Sequence, residues 1–266
     1  MHPVKELHIF DTLHGLRSQE ALHKFSAAQL ARLDRHFHSP SDSEIQGLPK
    51  RIQCEYRSNR ILLNSDVNNI DYADLFRPLL MHGTWLGEIT PEYMLLNPDQ
   101  IRDVVSRLGA RVVFVLMIRN PVKRFISAFR LRHAYMRPQG EAPPSNEALN
   151  EDFRHIFKSQ DGWFQTQLKF NEYKQSVENY QSVVGSDLLF FSLDELVERV
   201  SGVATVISQA TGLSFDEEKV QSVVSEKANE VNVPFRLDAD SSHICSSYFS
   251  DLLQSAEDLV GHRLVL

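Results

Sequence analysis

Arg119, Asn120 and Pro121 stand together straight after the apolar run Val112 to Ile118, and a serine follows at Ser127. A guanidinium at the C-terminal end of a buried strand lies where open α/β sheets receive ligands. A helix that starts at once brings free backbone N–H groups and the positive end of its dipole to the same place. Together they form an anion site, most naturally for phosphate. Ser127 lies seven residues after Asn120, which the helical period turns to within about 20° of the same face. Its hydroxyl could then join Arg119 on one phosphate. The competing reading of the same residues is a surface arginine paired with a carboxylate, and an ordinary helix serine.

The elements around this motif follow from spacing. Ile101, Val104, Val105 and Leu108 keep a helical period, and Gly109 can stop that helix. Arg111 to Ile118 is a β-rich run of the kind that fills a parallel sheet buried on both faces. Asn120 offers an N-cap and Pro121 a first helical residue, and Val122, Phe125, Ile126 and Phe129 make the buried stripe of the next helix. A helix near Tyr173 to Tyr180 precedes a second strand, Leu188 to Phe191. Asp194 to Val200 and Val203 to Ala210 read as helices, the latter ended by Gly212. Phe249, Leu252, Leu253, Ala256 and Val260 mark a last amphipathic helix.

The rest of the chain gives weaker signals. Lys5 to Asp11 alternates polar and apolar residues and reads as a short extended segment. Residues 12–60 read as irregular helices and loops, with some helical spacing between Ser18 and Phe37. Asp71 to Leu80 reads as a helix, and Trp85 to Tyr93 as a very short strand running into a loop. Pro138 to Pro144 and Asn229 to Asp240 read as loops. Strands alternating with helices imply an α/β fold with a parallel sheet covered on both faces, as one domain over residues 1–266.

Bulk properties narrow the classes. The formal net charge of -7 argues against a broad basic surface for nucleic acid. Two cysteines, Cys54 and Cys245, make neither a disulfide framework nor a thiolate zinc cluster, and no metal is expected. The longest apolar run, Val112 to Ile118, is far too short to span a membrane. A cytoplasmic location is the default expectation, or a Golgi or membrane-anchored one if an N-terminal segment precedes Met1.

The segment VVFVLMIRNPVKRFISAFR, residues 112–130, resembles the 3′-phosphate-binding motif of sulfotransferases that use PAPS (3′-phosphoadenosine-5′-phosphosulfate). Three more segments match in family order. KELHIFD at 5–11 and GEITPEY at 87–93 resemble segments of the heparan-type glucosaminyl sulfotransferases and their bacterial relatives. The stretch from Tyr173 through LLFFSLDEL, ending at Leu196, resembles the late helix, strand and acidic turn. His2 and Pro3 match the pair that usually precedes the first of these segments.

The resemblance implies a P-loop-like sulfotransferase fold and transfer of a sulfuryl group from PAPS to a hydroxyl or amine, with carbohydrate as the acceptor class and no metal. It assigns Arg119 and Ser127 to the donor's 3′-phosphate, Glu6 to the base that takes the acceptor proton, and His8 to the same catalytic site. Glu88 is expected to order the site by pairing with a basic side chain, and Thr90 and Pro91 to shape their loop. Phe10, Tyr93 and Trp163 could line an acceptor cleft, against a default of packing. Lys227 and Arg236 flank a loop where relatives place late phosphate ligands, although solvated surface charge explains them as well. Ile89 stands where some relatives carry a lysine, which weakens an inference to a heparan-like acceptor.

One family part has no counterpart here. No Lys-x-Gly-Thr/Ser loop, whose N–H groups and lysine would hold the 5′-phosphosulfate, occurs in the sequence. The central strand that carries it is missing too, so the sheet should expose apolar faces and backbone groups. An internal methionine of a longer protein, a late start or a decayed paralogue would each explain this, and the chain as given should bind PAPS weakly with little turnover. The alternatives are a noncatalytic nucleotide-binding or interaction remnant and a small-molecule P-loop kinase relative. The last fits poorly, because a kinase needs the same loop and a Mg²⁺-binding carboxylate where this chain has Arg-Asn-Pro.

Overall fold

The computed structural model describes residues 6–81, 85–109, 111–137, 141–225 and 233–265. It divides into two compact units, Met1–Ala110 and Arg111–Leu266. The structure is mostly helical, with one small parallel sheet among the described residues.

In the first unit, α1 (Ile9–Leu13) and α2 (Gln19–Phe37) are followed by α3 (Asp42–Gly47) and α4 (Lys50–Asn64). Ser18 caps α2 by accepting the Ala21 N–H, and Ser41 with Glu44 forms a capping box on α3. α2 packs on α4, and α4 on a 3₁₀ segment, Tyr72–Leu79. Leu33, Ile45 and Tyr56 bury one cluster between these elements. A second 3₁₀ turn, Pro91–Leu95, leads to α5 (Pro98–Leu108). Gly109 ends α5 at φ 59°, a left-handed position that glycine adopts without a Cβ clash.

Three expectations for this unit are corrected. Residues 9–13 of the alternating segment are helical, not extended, because His8 turns the chain at φ 54° and ψ 33° and no strand lies beside it among the described residues. Residues 85–90 have no regular structure where a very short strand was expected, and residues 91–95 form a 3₁₀ turn. The stretch 12–60 holds two long regular helices, although its polar composition reads as irregular.

In the second unit, β1 (Phe114–Ile118) runs into α6 (Pro121–Met136) through Arg119 and Asn120. Helices α7 (Asn146–Ser159), α8 (Gly162–Lys169) and α9 (Tyr173–Val184) come before β2 (Leu188–Ser192). Then follow α10 (Leu193–Glu198), α11 (Val200–Thr211), α12 (Glu217–Ser225) and α13 (Ala239–Val260). β1 and β2 pair in parallel, Phe114 opposite Leu188 and Ile118 opposite Ser192. The core is aromatic: the fully buried Phe125 of α6 meets Phe153, Phe157, Phe164 and Phe249 at ring separations of 5.1–5.8 Å. Each such ring contributes roughly 1.5–3 kcal/mol of burial. Within the described residues of the loop expected at 138–144 and of that at 229–240, 141–144 and 233–238 lack regular structure; α13 starts well before the Phe249 expected to open it.

The expected parallel pairing is present, but the sheet is not covered on both faces. The Phe114 ring lies 4.9 Å from that of Tyr180 on α9, which covers one side. On the other side Val115 is 47% and Met117 37% exposed. A two-stranded ladder with helices on one face leaves alternate residues of β1 in water. Among the described residues, no helix is long and apolar enough to cross a membrane.

Candidate functional site

Each unit gathers one group of chemistry-bearing side chains. In the first unit the group is built around the entry to α1. With His8 in the left-handed conformation, its imidazole is buried, 1% exposed, and edge-on to the Phe25 ring. Glu6 Oε2 lies 3.2 Å from His8 Nε2, and Asp11 Oδ2 lies 2.9 Å from His8 Nδ1. Arg17 reaches Asp11 Oδ2 at 3.3 Å and Glu92 Oε1 at 3.2 Å. Burial opposes a charge on His8, but the hydrogen bonds to Asp11 and Glu6 and the Asp11 charge outweigh it and raise the imidazole to about 9. His8 is therefore an imidazolium at neutral pH, held between two carboxylates.

Glu88 fixes the backbone of this group. Its Oε2 accepts the Leu7 N–H at 2.9 Å and the Thr90 hydroxyl at 2.8 Å, and its Oε1 accepts the Tyr93 hydroxyl at 2.8 Å. The Tyr93 oxygen in turn accepts the N–H groups of Ile9 and Phe10 at the start of α1. Burial pushes the Glu88 carboxyl above the ordinary glutamate range, against the pull of those three donors. Burial and the Glu88 charge push the Tyr72 and Tyr93 phenols up.

Glu6 and His8, paired in the sequence reading, are therefore brought together. Glu88 orders the segment as expected, through neutral donors and not through a basic side chain. Thr90 shapes its loop by bonding Glu88. Phe10 is buried against Tyr72 and Tyr93, which is packing and not a cleft lining. Asp11, Arg17 and Glu92 were given no role from sequence. Asp11 stands three residues after His8 and Glu92 sits inside GEITPEY, so the spacing and the motif carried the signal. Lys5 and Lys227 lie outside the described residues.

In the second unit the group surrounds the junction of β1 and α6. The Asn120 side chain accepts the N–H groups of Val122 and Lys123, and its backbone carbonyl accepts that of Arg124. The free N–H donors expected here are thus already taken, because an asparagine cap satisfies them from within. What remains is the helix dipole and the cations. Arg119 is half-buried, and its backbone lies beside the Tyr173 side chain. Arg124 donates to Asn171 Oδ1 at 2.6 Å, Gln167 Oε1 at 3.0 Å and the Gln167 carbonyl at 2.6 Å, with its guanidinium 5.5 Å from the Phe170 ring centre. All these partners are neutral. Burial, and then the Arg119 charge, pull the Arg124 guanidinium down to about 10 despite the neighbouring Tyr173.

Among the described residues, no carboxylate lies within ion-pair distance of Arg119, Lys123 or Arg124. The reading of Arg119 as a carboxylate-paired surface residue finds no partner among those residues. Ser127 is exposed on α6, and no hydrogen bond joins it to Arg119. The structure does not bring these two side chains into contact. Trp163 packs on Phe125 with Arg132 over its ring, and the Arg236 side chain is exposed. Arg124 and Tyr173 belong to the group although sequence gave them no role; Arg124 lay in plain view, five residues after Arg119.

Three non-thiolate groups could hold a metal ion: Glu6, His8 and Glu92 each offer an atom within 4.8 Å of the others. Comparison with family models, with curated proteins and with solved structures found no match to this chain.

Proposed function

We propose that the chain is a sulfotransferase that moves the sulfuryl group of PAPS to a hydroxyl or amine acceptor, with carbohydrate as the acceptor class. Arg119 carries the reading: a guanidinium with no carboxylate partner among the described residues, at the C-terminal end of β1 and beside the start of α6. Such a cation, with the buried charge of Arg124 nearby, suits a dianionic phosphate. In this reading the 3′-phosphate of the donor lies on Arg119, and the Ser127 hydroxyl donates to the same group.

The base is Glu6. As the acceptor oxygen or nitrogen bonds to sulfur, its proton passes to the Glu6 carboxylate, and the bond from sulfur to the 5′-phosphate oxygen breaks. The nucleotide bisphosphate leaves with that electron pair. His8, charged and 3.2 Å from Glu6, aims the carboxylate. The two parts of the reading rest on separate units and are tested separately.

Calorimetry with 3′-phosphoadenosine-5′-phosphate tests the donor part. Arg119→Ala should weaken binding at least tenfold and Ser127→Ala by less; an Arg119→Ala variant that binds like the wild type overturns the assignment. Transfer of labelled sulfate from PAPS to a panel of oligosaccharides tests the base, with Glu6→Gln losing turnover while nucleotide binding is kept. A second reading, nucleotide binding without transfer, is favoured by the lack of a Lys-x-Gly-Thr/Ser loop in the sequence. Tight binding with no turnover on any acceptor would select it.

A further inference from the structure

Three carboxylates, Glu6, Asp11 and Glu92, gather round the His8 imidazole and the Arg17 guanidinium. Two of their oxygens have no hydrogen-bond partner although they are buried. One is Oε2 of Glu92, 3.7 Å from His8 Nδ1. The other is Oδ1 of Asp11, a residue with 0% exposure whose Oδ2 already touches the imidazole. Leaving a buried carboxylate oxygen unpaired costs about 1–3 kcal/mol. Both unpartnered oxygens belong to carboxylates that reach one imidazole.

We propose that Glu6, His8 and Glu92 form a binding site for a divalent transition-metal ion of the zinc class. The three ligand atoms lie within 4.8 Å of one another. A tetrahedral zinc with N and O ligands at about 2.1 Å requires ligand–ligand separations of roughly 3.4 Å, so the ligands must draw closer for an ion to bind. An imidazole ligand with carboxylates selects zinc, cobalt or nickel over magnesium, which demands oxygen ligands and keeps its waters. Asp11, bonded to the ring, orients it as an outer carboxylate commonly does for a ligating histidine.

The site stands whether or not the chain transfers sulfuryl groups. Where it does, the ion and the acceptor proton compete for Glu6, so zinc inhibits.

Titration of the chelator-treated full chain with ZnCl₂ by calorimetry, and with CoCl₂ by visible absorption, tests the site. The expected result is one ion per chain, with the intense visible bands of four-coordinate cobalt. Glu92→Gln, which keeps a partner for Arg17, should weaken zinc at least tenfold, and His8→Gln should abolish the cobalt bands. Alanine at the exposed His36 and His155 should change neither. Circular dichroism of Glu92→Gln establishes that this variant is folded. A wild type that takes up no ion at micromolar concentrations, a folded Glu92→Gln with undiminished affinity, or magnesium binding as tightly as zinc overturns the proposal.

Discussion

The Tyr93 hydroxyl donates to Glu88 Oε1 at 2.8 Å and accepts the N–H groups of Ile9 and Phe10 at 3.2 and 3.3 Å. A side chain more than eighty residues away in sequence thereby caps the helix that carries Asp11. Tyr93→Phe leaves two backbone donors without a partner and takes one donor from Glu88. The expected loss is about 1–3 kcal/mol, read as a lower urea midpoint, with faster hydrogen exchange at Ile9 and Phe10. Unchanged exchange at these two amides would show that the cap is dispensable.

Arg124 keeps a buried charge among neutral partners, so its field reaches past its own hydrogen bonds. Arg124→Gln should lower affinity for 3′-phosphoadenosine-5′-phosphate by about tenfold, equivalent to about 1.4 kcal/mol of Coulomb attraction. The fall should shrink as salt is raised to about 1 M, where screening acts over roughly 3 Å. Equal affinities for wild type and variant at low salt would remove Arg124 from the ligand's field.

Phe125 is fully buried among other phenylalanines, and it also packs on Trp163. Phe125→Ala should cost about 3–5 kcal/mol, measured by denaturant unfolding. Val115→Thr, on the uncovered side of β1, should stay within about 0.5 kcal/mol of the wild type and raise solubility. A large loss at Val115 would mean that this face is packed in solution.

Asp238 caps α13 by accepting the Ser241 N–H at 2.8 Å and also pairs with Arg154. The Ser241 N–H bond, ahead of opposing burial and the Arg154 contacts, holds its carboxyl below the ordinary aspartate value. A carboxyl depressed in the folded state stabilises fully above its unfolded value and loses that contribution as pH falls through its folded value. Asp238→Asn should therefore flatten the acid limb of the stability–pH curve below about pH 4 and leave the neutral region's slope unchanged. An acid limb identical to that of the wild type would contradict this.

Local chemistry made the second unit readable. Asn120 and Pro121 set the start of α6, Gly212 stops α11, and the short β-rich runs mark β1 and β2, because each signal acts within a few residues. The first unit was less legible. The alternation over residues 5–11 suggests a strand, yet its conformation is set by His8 in a left-handed turn and by Tyr93 arriving from far along the chain. No local pattern reports a partner so distant. The pairing of Glu6 with His8 was legible from a motif, whereas the charge balance with Arg17 and Glu92 needed coordinates. The coverage of the sheet was misjudged because an apolar run has the same composition whether one face is covered or two.

The parallel ladder joins Phe114 to Leu188, 74 positions apart in the chain. Closing a loop of that length costs about 4 kcal/mol of chain entropy, and five-residue strands repay little of it early. The helices α6 to α9 that lie between them must therefore gather their aromatic rings first, and the two strands register late. Mutations in that aromatic cluster should slow refolding, while changes on the ladder should mainly hasten unfolding.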